Sequence, residues 1–333
     1  MQDRVIQQAI HQILSPQFER KFSDRSYGFR PGRSTADALK AAQAYIASGK
    51  KWVVDIDLKA FFDQVNHDIL MREVRKEVAD KNLLKLIAKY LKAAMVVNSE
   101  RVTRDKGTPQ GGPLSPLLAN IYLHPLDEEL ERRGLSFVRY ADDMAIYVSS
   151  ERSAQRVLKS ITHWLAQELK LEVNSDKSHR GPCHKSKLLG FQIDEEATIH
   201  VAPKAMEKLK EKVREIWSAR RSKTSQELRD EWRQYIDGWW NYFQLAENRR
   251  PLRPIGKWIR RHIRKTFWQR WHSPSGRKAA LSRLGIRGRL LRVAHSSVSS
   301  WRMATHYVMH KALNNQQLQK YRLDVPWELV RPA

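Results

Sequence analysis

Tyr140-Ala141-Asp142-Asp143 sets two adjacent carboxylates between the apolar runs Leu135-Ser136-Phe137-Val138 and Met144-Ala145-Ile146-Tyr147-Val148. Two apolar runs around a short polar break predict a β-hairpin over 137–149 with the aspartates at its tip. Like charges held this close are costly unless a divalent cation joins them. Mg²⁺ is typically bound by one or two carboxylates together with substrate phosphates. Asp-Asp also marks ordinary turns, so the hairpin alone leaves both readings open.

A second carboxylate cluster lies upstream, in Trp52-Val53-Val54-Asp55-Ile56-Asp57-Leu58-Lys59-Ala60-Phe61-Phe62-Asp63. The pattern from Trp52 to Leu58 predicts a strand with Asp55 and Asp57 on one face. A strand-borne Asp facing a hairpin-borne pair is the constellation for two-metal phosphoryl transfer. One ion activates an attacking 3′-hydroxyl and the other neutralises the leaving pyrophosphate. Between the clusters runs Gly107-Thr108-Pro109-Gln110-Gly111-Gly112-Pro113-Leu114-Ser115, followed by a helical pattern from Pro116 to Arg133. Ser115 and Pro116 are expected as N-cap and first helical residue. The paired glycines permit close backbone approach, and Gln110 offers an amide to a base or sugar.

In order and spacing these elements resemble the reverse transcriptases encoded by bacterial group II introns, the intron maturases. The resemblance rests on Tyr27-Gly28-Phe29-Arg30-Pro31-Gly32-Arg33-Ser34, the strand with Asp57, the Pro-Gln-Gly-Gly loop and Tyr-Ala-Asp-Asp. Asn174-Ser175-Asp176-Lys177-Ser178 and Leu188-Leu189-Gly190-Phe191 complete it, the last resembling a primer grip. The resemblance implies Asp57, Asp142 and Asp143 as catalytic residues and Mg²⁺ ligands. Asp57, not Asp55, stands two residues before the Lys of a Lys-x-Phe-Phe run, as the family's catalytic Asp does. Phe62 falls where such polymerases place an aromatic under the incoming ribose, excluding a 2′-hydroxyl; one of Phe61 and Phe62 is expected in the core and the other as this gate. Gln110 and Lys177 are implied in substrate binding, and Arg30 and Arg33 in nucleic-acid binding.

The charge balance suits a polyanionic partner or an acidic membrane surface. Lys and Arg number 61 against 36 Asp and Glu, a net +25, with pI about 10.2. No run of 18 apolar residues and no cleavable signal pattern occurs, so no membrane association and a cytoplasmic location are expected. The single cysteine, Cys183, excludes an internal disulfide and a cysteine-cluster zinc site. The charge is uneven: residues 1–200 carry a net +5 and residues 201–333 a net +20. From Asn248 to Leu323 there are 19 Lys and Arg and no acid, and nine of the eleven tryptophans follow residue 200. A solvated face would mix signs and a disordered tail would lack aromatics, so this span reads as a folded phosphate-binding region.

Periodicity predicts helices over 4–14, 35–47, 67–78, 81–94, 116–133 and 154–169. Strands are expected over 52–58, 137–149 (the hairpin), 171–174 and 188–194. The α+β part, 1–200, resembles the fingers and palm of a right-hand polymerase. Helices follow over 205–219, 226–243 and 254–271, with Pro251 and Pro254 punctuating the last break. Residues 201–272 resemble an all-helical thumb, the maturase-specific domain, most recognisably at Tyr235 to Phe243, and 273–333 are expected as a basic nucleic-acid-binding extension. In 254–271 an apolar stripe of Ile255, Ile259, Ile263 and Phe267 should pack. Lys257, Arg260, Arg261, Arg264 and Lys265 should then face phosphate.

Two departures from the family pattern carry expectations. Many members end in a Cys/His-rich nuclease domain that this sequence does not contain. Others carry an N-terminal extension and basic hairpin before the segment that is Asp3-Arg4-Val5-Ile6-Gln7-Gln8 here, so triphosphate-binding fingers residues are expected upstream of residue 1. The expected function is an RNA-directed DNA polymerase that also assists intron splicing and mobility, using Mg²⁺, dNTPs, intron RNA template and primer, and target DNA. A maturase without polymerisation, or a domesticated reverse transcriptase in defence or repair, is the alternative.

Overall fold

The apolar run Trp52-Val53-Val54 ends in Asp55-Ile56, and this strand, β1 (Trp52–Ile56), is a central strand of a four-stranded sheet. The computed structural model describes residues 2–93, 95–97, 100–102, 105–109, 111–218 and 223–328. These fall into two units, Met1–Ile199 and His200–Ala333. Along the first unit follow β2 (Met95–Val97) and β3 (Glu100–Val102), which pair with each other. β4 (Ser136–Tyr140), β5 (Asp143–Val148) and β6 (His179–Pro182) join β1 in the order β4-β5-β1-β6, antiparallel throughout. A short ribbon of β7 (Phe191–Ile193) and β8 (Ile199–Val201) carries the chain into the second unit.

The main sheet is buried on both faces, which is why its strands read as near-continuous apolar runs. Val54, Ile56, Phe137, Ile146 and Val148 enter a core built with helices Gln2–Glu19, His67–Glu77, Lys81–Lys92, Ser115–Arg132 and Glu151–Glu168. Val53 and Tyr147 are buried outside that core, and the Tyr147 ring lies 5.6 Å from Tyr45 of helix Thr35–Ala47. Caps set several starts: Ser34 and Asp37 form a capping box, and Asn66, Asp80 and Ser150 each accept from first-turn amides.

Several expectations are corrected. Ser115 is not an N-cap; its hydroxyl donates to the Pro109 carbonyl, and Leu114 stands before the helix without a side-chain cap. The strand expected over 171–174 is a single bridge between Leu58 and Val173. β6 was not foreseen because Arg-Gly-Pro has little strand tendency; an edge position beside β1 imposes the conformation and tolerates the proline.

The second unit is helical, with long helices Pro203–Ile216, Ser225–Phe243, Leu252–Arg270 and Pro274–Arg283. Leu209, Val213, Trp232, Ile236, Ile259 and Ile263 form its core, and Met303, Val308, Met309, Leu318 and Leu323 from beyond residue 272 enter the same core. Trp217 and Trp232 are fully buried with ring centroids 5.7 Å apart. Among the described residues no helix is long and apolar enough to cross a membrane. Trp232→Ala is expected to cost about 3–5 kcal/mol in urea unfolding, as a large aromatic lost from a packed interior.

Candidate active site

Asp57 lies one residue beyond β1, where the ladder ends and the backbone must find other partners. The Asn174–Ser178 segment supplies them. The Asp57 amide donates to Ser178 Oγ at 2.9 Å, and its carbonyl accepts from the Asn174 amide at 2.8 Å. The Lys59 amide donates to the Glu172 carbonyl at 2.9 Å. Lys177 Nζ comes to 3.9 Å from Asp57 Oδ1, so the same segment presents a cation to the carboxylate it fixes.

The hairpin turn is just as constrained. Tyr140 pairs with Asp143, and Ala141 adopts a left-handed conformation with φ 60°. Such a backbone is uncommon for a residue with a Cβ, and its surroundings must hold it. Arg139, buried in β4, does so. Its guanidinium makes a paired contact with Asp127 at 2.7 and 2.5 Å and donates to Asn120 Oδ1 and to the Ala141 carbonyl, both at 2.9 Å. Both charges are essentially inaccessible to water. Asn120 in turn donates to the Gly28 carbonyl at 2.9 Å. Gly28 packs so tightly on the turn that an added Cβ would sit 2.3 Å from the Ala141 nitrogen. The first motif is therefore a backbone support for Asp142 and Asp143.

Electrostatics join the three aspartates. Asp143 is pushed above the ordinary carboxylate range by desolvation, then by Asp142 and Asp57, with Lys177 pulling the other way. Mutual repulsion of this kind is what a divalent cation relieves, and the donors are hard oxygens, so the residues fit Mg²⁺. Among the described residues no three such side chains converge into a ready-made metal cluster. That is compatible with an ion completed by water and substrate phosphates. Asp55, on β1, turns to other partners: it accepts from Ser186 Oγ at 2.6 Å and lies 3.1 Å from His179 Nε2. Burial raises its carboxyl to about 6, against the lowering effects of Ser186 and His179.

Phe61 is core, 2% exposed, and Phe62 is partly buried at its edge with the rings 5.2 Å apart. The loop leading to Pro109 is fastened to this segment. The Thr108 amide donates to the Phe62 carbonyl and the Gly107 amide to the Val65 carbonyl, both at 2.7 Å. His67 Nε2 lies 2.7 Å from the Gly107 carbonyl. Gly107 has φ +90°, and a Cβ there would meet the Phe62 carbonyl at 3.0 Å. Gln110 lies outside the described residues.

The basic residues divide. Arg30, expected to bind nucleic acid, is buried, paired with Glu19 at 2.7 Å and donating to the Ser23 and Ser26 carbonyls, so its guanidinium is spent on fastening a loop. Arg33 pairs with Asp24 at 2.5 Å beside the Tyr27 ring. In the second unit Arg264 is also buried, its Nε and Nη2 both 3.0 Å from the Leu313 carbonyl. Helix packing on both sides of Leu252–Arg270 leaves less free surface than a single apolar stripe predicts. Lys257 is exposed; Arg260, Arg261 and Lys265 are partly covered. Sequence reading missed Arg139, Asp127, Asn120 and His67. The available signal was Arg139 itself, a charge inside an apolar strand that demands a buried partner.

Arg139→Met should cost about 3–5 kcal/mol in urea unfolding by leaving Asp127 buried without its partner. The double change Arg139→Met with Asp127→Leu should recover most of that loss. No recovery in the double variant would mean that the donor to Ala141, not the charge pair, carries the stability.

Residues 1–193 match the family described as reverse transcriptase (RNA-dependent DNA polymerase), and residues 206–285 match the group II intron maturase-specific domain. The group II intron-encoded protein LtrA of Lactococcus lactis subsp. cremoris is 38% identical over 163 residues, 49% of this chain and 27% of LtrA. Protein YkfC of Escherichia coli is 29% identical over 216 residues, 54% of this chain and 57% of YkfC. Nuclear intron maturase 1, mitochondrial, of Arabidopsis thaliana is 34% identical over 201 residues, 45% of this chain and 28% of that protein. The matched region thus spans about a quarter to just over half of these relatives' lengths. With 193 of its 333 residues matched to one family, the chain belongs to the reverse transcriptases.

Proposed function

We propose that this protein is an RNA-directed DNA polymerase of a group II intron that also assists the splicing and mobility of its intron RNA. The observation that carries the reading is that Asp143 feels both its hairpin neighbour Asp142 and Asp57 at the end of β1, the strand end and the turn being held by separate segments. Asp57, Asp142 and Asp143 would hold Mg²⁺. Bound there, the metal would supply activation of a primer 3′-hydroxyl and neutralisation of the departing pyrophosphate. Lys177, beside Asp57, adds positive charge for the triphosphate of a dNTP. Phe62, fastened through its carbonyl to Thr108, offers the ring that would exclude a 2′-hydroxyl, while Phe61 anchors it from the core. The basic second unit, matched to the maturase-specific domain, would bind intron RNA through phosphates, shape and stacking. An RNA template, an annealed primer and a DNA target complete the set of partners.

Asp142→Ala is expected to lower primer extension on an RNA template by at least about a thousandfold, several kcal/mol of lost transition-state stabilisation, while RNA binding is retained. Asp142→Asn preserves shape and should fall nearly as far; extension near the wild-type rate in both variants would remove the assignment. Phe62→Val should raise the rNTP/dNTP ratio of kcat/KM, because discrimination rests on overlap with one hydroxyl. A ratio that changes instead in Phe61→Val would move the gate to the neighbouring ring.

A further inference from the structure

Lys257, Arg260, Arg261 and Arg264 recur at i, i+3, i+4 and i+7 of helix Leu252–Arg270, so four cations share one helical face. They line a cavity of about 560 Å³ closed on its other side by Thr305, His310 and Asn315. No carboxylate lines it among the described residues; Glu328 pairs with Arg260 and offsets one charge. Like charges at these spacings repel, and an anion held between them would relieve the repulsion.

The side chains are prepared for one. Arg261 lies flat over Trp301, 4.0 Å from its ring centroid, and its Nε is buried without an acceptor. The Arg264 guanidinium is oriented by the Leu313 carbonyl, so its charge is fixed before any ligand arrives. The field is felt by neighbours: burial and then Arg260 bring Arg264 down to about 10. Burial followed by Arg264 and Arg260 lowers His310. Thr305 and Asn315 are exposed at the rim, where a hydroxyl and an amide suit a sugar.

We infer that this cavity is a binding site for a phosphodiester of RNA, with room for one nucleotide of the strand. RNA is favoured over a free phosphate compound because the cavity opens on a unit whose 248–323 span carries no acid, so neighbouring phosphates meet the same field. The size is also that of a small-ligand site and far exceeds a lone phosphate. This inference rests on the RNA-binding part of the proposed function and assigns it a place.

The test is the salt dependence of binding to a fluorescein-labelled RNA hairpin, measured by anisotropy on the full chain. Lys257→Gln with Arg261→Gln should weaken binding about tenfold and lower the slope of log Kobs against log salt by about 1.4–1.8, the value for two lost phosphate contacts. Arg283→Gln with Arg289→Gln, exposed elsewhere on the unit, should lower it by clearly less. Thr305→Glu, which places a carboxylate at the rim without touching an arginine, should weaken binding in the same direction. Equal slopes for both double variants, or no effect of Thr305→Glu, would overturn the site. Inorganic pyrophosphate and dATP are run as competitors. Tight displacement of RNA that disappears with the cavity variants would assign the site to a free phosphate compound and overturn the RNA assignment. Primer extension by the wild type is scored separately. A protein that extends primers but whose cavity variants bind RNA normally loses this inference alone; one that fails to extend yet shows the slope change loses the polymerase reading alone.

Discussion

Burying a guanidinium and a carboxylate together removes both from water, and that is tolerable only when every donor and acceptor is matched. Arg139 and Asp127 meet this condition with a paired contact, and the remaining Arg139 donor reaches Asn120 and the Ala141 carbonyl. Much of the first unit is organised around that pair. It joins helix Ser115–Arg132 to β4, fixes the left-handed residue before Asp142 and, through Asn120, holds the backbone of Gly28. The hairpin that carries Asp142 and Asp143 is thus positioned from behind by a buried charge network.

The aspartates themselves follow a different logic. Asp142 and Asp57 both repel Asp143, and Lys177 nearby pulls the other way. A protein that neutralised these carboxylates internally would have no affinity left for a cation. Asp55, two residues before Asp57, is treated differently: it also feels Asp143, but Ser186 and His179 lie against it and offset part of its burial.

How much was legible in the sequence depends on whether the cause was local. The hairpin and the helix Thr35–Ala47 could be read from alternation and periodicity. Family resemblance supplied the choice of Asp57. What could not be read came from partners distant along the chain. Nothing in the sequence announces that Arg30 meets Glu19 or that Arg264 meets the Leu313 carbonyl. Ser115 looks like a cap until Pro109 folds back onto it. Strand β6 exists because β1 offers it an edge, and no propensity in Arg180-Gly181-Pro182 announces it.

The clamp on Asp57 has a consequence in time. Ser178, whose hydroxyl accepts from the Asp57 amide, follows it by 121 residues. On a ribosome the strand carrying Asp57 emerges long before the segment that immobilises it, and β1 must wait for both β5 and β6 before it has neighbours. Pairings of such sequence separation form late because loop closure must precede any reward. A nascent chain halted between the hairpin and Asn174 would hold all three aspartates and no geometry to use them. The arrangement around Asp57 is therefore completed only as the last strand of this sheet is delivered.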